Sequence, residues 1–301
     1  MRALVAALVL VAAPALADAP ASGPDRPGLS PDARVLRIGW RLAVANAAVC
    51  RHTRSLSGLS LHDLSAYAAR DRDRVAQAYG LGWGFGVLDL APASPAAAAG
   101  LAPGDEITGA DGTVLSDFAR AGVRGGGSPA RVSAFEDWLA ARLAKGPVAL
   151  TVRRGGATFA TTLTGVTGCA DYVVADPGRA IDAWSDGTNV AVTAGLADLL
   201  PEDDQLAFVI AHEMAHNLLG HVAALRGHSR FLAAFGIASG PFSRSELEAD
   251  AMGLKLAARA GYDWHAAAPA LQRIIARRGD LGGDHPLLQT RLRAIALCNG
   301  Y

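Results

Sequence analysis

The chain of 301 residues has few cysteines, three in all, and few aromatics, 6%. Three cysteines cannot build a disulfide-stapled scaffold, and none stands at zinc-ligand spacing from another. Net charge is also missing, since 28 Lys and Arg balance 28 Asp and Glu. Without a basic excess there is no electrostatic footprint for nucleic acid or an anionic membrane surface. Long apolar runs are absent too. The best, "ALVAALVLVAAPALA" at the start, is too short and too broken by Pro14 to cross a bilayer, so no transmembrane segment is expected in the mature chain. What is present is apolar content of 51%, enough for a sizeable core.

The opening reads as a targeting segment. Met1-Arg2 supplies a short basic region, the apolar run follows, and Ala15-Leu16-Ala17 fits the small-x-small cleavage rule. Residues 1–17 are thus expected to be a removed signal peptide, with export to the periplasm or outside. Residues 18–31, rich in Pro, Gly and Ser, are expected to be a disordered leader. In an oxidising compartment Cys50, Cys169 and Cys298 would give one bridge and one leftover thiol.

Three parts follow. Residues 32–76 begin with the helical periodicity of "ARVLRIGWRLAVANAAVC" and read as a helical first part of the main domain. Residues 77–166 differ: alternating "WGFGVLDLAP", a short helix stopped by Gly100, a turn at Asp111-Gly112, a helix over "VSAFEDWLAARLAKG" and a hairpin turned at Gly155-Gly156. Ser94-Pro95-Ala96, Ala99-Gly100-Leu101, Gly104-Asp105 and Asp111-Gly112 make this block resemble a bacterial PDZ domain. The resemblance implies strand addition of a peptide or chain terminus, with Gly84, Phe85 and Gly86 in the terminus-binding loop. Residues 167–301 carry short strands and then helices.

"FVIAHEMAHNLLGH" holds the chemistry. His212 and His216 are four apart, so on a helix both imidazoles leave one face and reach one Zn²⁺. Glu213, rotated by about 100°, is placed to touch the attacking water without ligating the metal. A catalytic zinc needs a third protein ligand. Downstream, "SRSELEADAMGLKLA" offers Glu246 and Asp250 on one helical face. Glu248 lies about 200° round from Glu246 and is expected to be an ordinary surface residue. His221 falls off the ligand face and is read as a structural or supporting residue.

These motifs resemble the M48 family of zinc peptidases. Residues 212–221 fit its HExxHxxxxH, Glu246 to Asp250 its ExxxD, "DAWSDGTNVAVTAGL" its edge-strand segment and "HPLLQTRLRAI" its terminal HPxxxxR. The resemblance implies one zinc per chain on His212, His216 and Glu246, Asp250 behind the ligands, and Glu213 as general base. It implies His285 and Arg291 as stabilisers of the oxyanion, and Asn189, Val190, Ala191 and Val192 as an exposed edge strand for substrate. Where the family has Asn, Asp182 stands, and no role is assigned to it.

The fold class expected is α+β: a mainly helical zincin-type peptidase domain with a small edge-exposed sheet, and an inserted PDZ-like β-sandwich or barrel. Cys50 and Cys169 flank the insertion, so they are expected to pair and leave Cys298 free. The activity expected is an exported zinc metalloendopeptidase acting on envelope proteins or peptides. The rival is a PDZ-centred adaptor or holdase whose zinc is structural or plugged.

Overall fold

The computed structural model describes residues 31–226, 239–278 and 288–297. The expected signal peptide, all but the last residue of the leader, His285 and Cys298 lie outside the described residues.

Helix α1 (Pro31–Ala45) buries Val35, Ile38 and Leu42, which recur at helical spacing. Its polar side is also committed. Arg34 reaches Asp203 at 3.1 Å and the carbonyls of Ala197 and Leu200 at 2.9 Å each, while Arg37 pairs with the same Asp203. Buried Asn46, just past α1, donates to Leu42 O at 2.9 Å and to Leu256 O at 3.0 Å. The chain then crosses into a second module along β1 (Thr53–Leu56) and returns along β8 (Val166–Cys169), its antiparallel partner. At the base of this ribbon Cys50 and Cys169 form a disulfide, Cα atoms 5.5 Å apart, as expected.

Beyond the ribbon lie β2 (Leu59–His62), α2 (Arg72–Tyr79), β3 (Phe85–Leu90), α3 (Pro95–Ala98), β4 (Glu106–Ala110), β5 (Thr113–Val114), α4 (Ala130–Leu143), β6 (Val148–Arg154) and β7 (Ala157–Leu163). The sheet order is β2-β3-β4-β6-β7, with β5 paired to β4. In β6, Val148, Leu150 and Val152 point inward while Ala149 and Thr151 face water, the period-two pattern of a sheet covered on one side. The cover is α4, whose Phe135 stacks on Phe85 at 4.1 Å. Two expectations change. The sheet is open, not a closed barrel, and the segment 32–76 is not a helical piece of the main domain throughout, because β2 belongs to this sheet.

The second change moves the peptide site. β3 is bonded to β2 on one side and β4 on the other, so Gly84, Phe85 and Gly86 have no open strand edge to offer. Phe85 is fully buried, Gly86 lies between His62 and Glu106, and the Gly84 N–H already donates to Glu106 Oε1 at 2.7 Å. The amide expected to hold a chain terminus holds an internal carboxylate instead.

After β8 come β9 (Tyr172–Asp176), β10 (Ala183–Ser185), β11 (Asn189–Thr193), α5 (Ala194–Leu199), α6 (Asp203–Leu219), α7 (His221–Arg226), α8 (Ser239–Arg259), α9 (Ala267–Arg278) and α10 (Leu288–Leu297). The strand order is β10-β11-β9, antiparallel then parallel. β11 is therefore the central strand: Val190, Ala191 and Val192 are buried, and Asn189 is bonded in register with Tyr172. Asn189–Val192 is therefore not the exposed edge expected of it, because the edges of this sheet are β10 and β9. Around the sheet, α1, α6 and α8 form one core with Leu206, Phe208, Ile210, Ala249 and Leu256 inside. Among the described residues no helix is long and apolar enough to cross a membrane.

Candidate metal centre

α6 is apolar nearly all round, which commits it to the interior, and it carries His212 and His216 inward with it. α8 crosses it at close range because of Gly253. A Cβ there would sit 3.0 Å from both the Cα and the backbone N of His212. This contact sets Glu246 and Asp250, on the same face of α8, against the two imidazoles.

The donors converge. His212 Nε2 and His216 Nε2 are 3.1 Å apart, and Glu246 lies 3.5 Å from the first and 3.3 Å from the second. One ligand atom from each of the three residues falls within 4.8 Å of the others. Two imidazole nitrogens and a carboxylate oxygen are donors that suit Zn²⁺. Asp250 stands behind: its Oδ1 is 3.0 Å from His212 Nδ1, and it takes the Arg291 fork at 2.8 Å and 2.5 Å.

The electrostatics fit a cation. Burial lowers the His212 pKa, but Asp250 and Glu246 outweigh it and push it up to about 10. Burial raises the Asp250 carboxyl, and Arg291 and His212 together hold it below its ordinary value. The pocket thus places positive charge on an imidazole lying between carboxylates, where a divalent ion would supply it.

Glu213 faces the small sheet, and its Oε2 accepts from Ser185 Oγ at 3.0 Å. Ser185 is on β10, so the open edge lies next to the expected base. Asn217, one turn on, anchors the loop between β10 and β11: it accepts from Gly187 N at 2.7 Å and donates to Asn189 O at 3.2 Å. Nothing in the local sequence marked Ser185 or Asn217; their roles depend on which strand lies beside α6.

Two expectations are altered, for Arg291 and for Glu248. Arg291 does not stand free for an oxyanion: its fork is held by Asp250, and its third nitrogen is 3.6 Å from Glu246. Glu248 is not an isolated surface residue, since its Oε2 is 3.2 Å from His221 Nε2. His221 is buried against His216, the two Nδ1 atoms being 3.1 Å apart.

Two helix-borne histidines and a glutamate from a second helix form a three-donor set, with a further glutamate next to the first histidine, the arrangement that metal-dependent peptidases use. Residues 167–239 and 223–297 match the model for peptidase family M48. Among curated proteins, the mitochondrial metalloendopeptidase OMA1 of Schizosaccharomyces pombe (strain 972 / ATCC 24843) is 34% identical over 137 residues. The match covers 36% of this chain and 40% of that protein, so the chain spans less than half the length of its relative. A mitochondrial relative overturns the reading of a periplasmic or secreted protein. Among solved structures, the HtrA3 PDZ domain bound to a phage-derived ligand (FGRWV) aligns over 38% of this chain and 89% of that one, at 20% identity and a TM-score of 0.28. The HtrA-type protease AlgW with decapeptide aligns over 38% of this chain and 29% of that one, at 24% identity and a TM-score of 0.28.

Proposed function

We propose that the protein is a zinc-dependent metalloendopeptidase that hydrolyses peptide bonds in protein or peptide substrates. The observation that carries this reading is the convergence of His212, His216 and Glu246 beside Glu213, at the open edge of β10. The three donors would hold one Zn²⁺, which when bound polarises a carbonyl and acidifies water.

The chain's own residues do the rest. Glu213 takes a proton from the attacking water and returns one to the leaving amine. The Ser185 hydroxyl fixes the carboxylate in the orientation for that transfer. Asp250, clamped by Arg291, holds the His212 ring with Nε2 toward the ion. An extended substrate adds to β10 through main-chain hydrogen bonds, which supply alignment with little sequence preference. In the second module the same rule assigns a peptide or chain terminus to the open side of β2, not to the buried β3.

Casein incubated with the purified chain tests the reading. Hydrolysis should stop on chelation and return with Zn²⁺. Zinc binding without hydrolysis of casein or of denatured proteins would favour the adaptor or holdase instead.

A further inference from the structure

Behind His216 lies a polar chain with no part in the steps above. α6 ends at Gly220, whose φ of 76° turns the backbone left-handed. That break brings His221 back over the last turn of α6, with its Nδ1 3.1 Å from His216 Nδ1 and its Nε2 3.2 Å from Glu248 Oε2. Two Nδ1 atoms at this distance share one proton, and each neutral ring carries one proton in all. Two arrangements follow. In the first, His216 donates from Nδ1, His221 accepts there and donates from Nε2 to Glu248, and His216 Nε2 keeps its lone pair. In the second, His221 donates to His216, turns a bare Nε2 toward a carboxylate, and leaves the proton on His216 Nε2. A carboxylate accepts and cannot donate, so it favours the first.

We propose that Glu248, acting through His221, selects the tautomer of His216 that can ligate a metal. The inference rests on the zinc reading above and deepens it. Each ligand histidine is then backed by a carboxylate, His212 directly by Asp250 and His216 through an intervening imidazole. Glu248 and His221 are positioning residues, since they act on the centre through the His216 ring.

Zinc affinity of the full chain, measured by chelator competition, tests this in Glu248→Ala and Glu248→Gln. The Glu248 side chain is 54% exposed, so neither change threatens the fold. The alanine variant should bind zinc about tenfold more weakly, the lower end for residues that support a ligand. Glutamine keeps an accepting oxygen at that position and should recover most of the loss. With Co²⁺ in place of zinc, the visible absorption of the alanine variant should shift and that of the glutamine variant should match the parent. Parental affinity in the alanine variant, or equal weakness in both, overturns the relay. An equal fall in the melting temperature of the metal-free chain would assign Glu248 to stability instead. A parent chain without zinc affinity overturns the centre itself, a result separable from failure of the relay alone.

Discussion

Both modules bury an aspartate under an arginine, and the two pairs are not alike. In the sheet module Asp63 and Arg131 are both sealed from water. The rest of that guanidinium is filled by the carbonyls of Phe118, Leu115 and Trp83 at 2.7, 2.6 and 2.8 Å, and Ser65 Oγ caps the aspartate at 2.8 Å. Charge is balanced one to one, and the pair ties the end of β2 to α4. At the candidate metal centre Arg291 grips Asp250 with two nitrogens where Arg131 spends one on Asp63, but Glu246 and Glu213 share the neighbourhood, and the carboxylates outnumber the guanidinium. The surplus negative potential falls on His212 and the space before it. One pair closes its surroundings; the other leaves them wanting a cation.

That contrast can be broken. The largest effect expected anywhere is on Glu213→Gln, which should lower casein hydrolysis by at least about 10²–10⁴-fold while one zinc remains bound. Substantial turnover at full zinc occupancy would take Glu213 out of the base role. Next, Cys50→Ser should destabilise the chain by roughly 4–5 kcal/mol on the chain-entropy model, the bridged positions being 119 apart. Urea denaturation of the variant against the oxidised parent measures it.

The two arginine pairs then separate by assay. Asp63→Ala strands Arg131 among carbonyls and should cost about 3–5 kcal/mol of folding stability, leaving zinc affinity unchanged. Asp250→Asn should lower zinc affinity about 10–100-fold, with a smaller effect on the metal-free melt. If both variants lose stability alike and zinc affinity is untouched, the second pair is as closed as the first. The smallest change expected is Gly253→Ala, whose new methyl forces α8 off α6 at His212. Overpacking of this kind costs about 1–3 kcal/mol, and chelator competition should show weaker zinc binding with it.

Much of the centre was legible because its logic is local. Spacing of four places His212 beside His216 and Glu246 beside Asp250, and a helix turns that spacing into a shared face without outside help. What failed was pairing across the chain. Alternation in "TNVAVT" marks a strand but not its neighbours, and β9 lies too far back in the sequence to announce itself as the partner that makes β11 central. The Gly84–Gly86 loop misled for the same reason, since β2 came from a stretch read as part of another domain. Glu248 was misjudged by its angle on its own helix. The wheel was right about direction, but His221 arrives there only because α6 breaks at Gly220.

The ribbon of β1 and β8 makes the sheet module a parenthesis. The chain departs at Cys50 and resumes at Cys169, only 5.5 Å away between Cα atoms, a gap that about two residues could bridge. In chain connectivity, the whole excursion is therefore equivalent to a tight turn between α1 and β9. Excising residues 57–165 and joining the ribbon with a short Gly-containing turn would cost β9 the bond from the Tyr172 hydroxyl to Asp137 at 2.6 Å, yet leave the four centre residues on α6 and α8 with their neighbours in place.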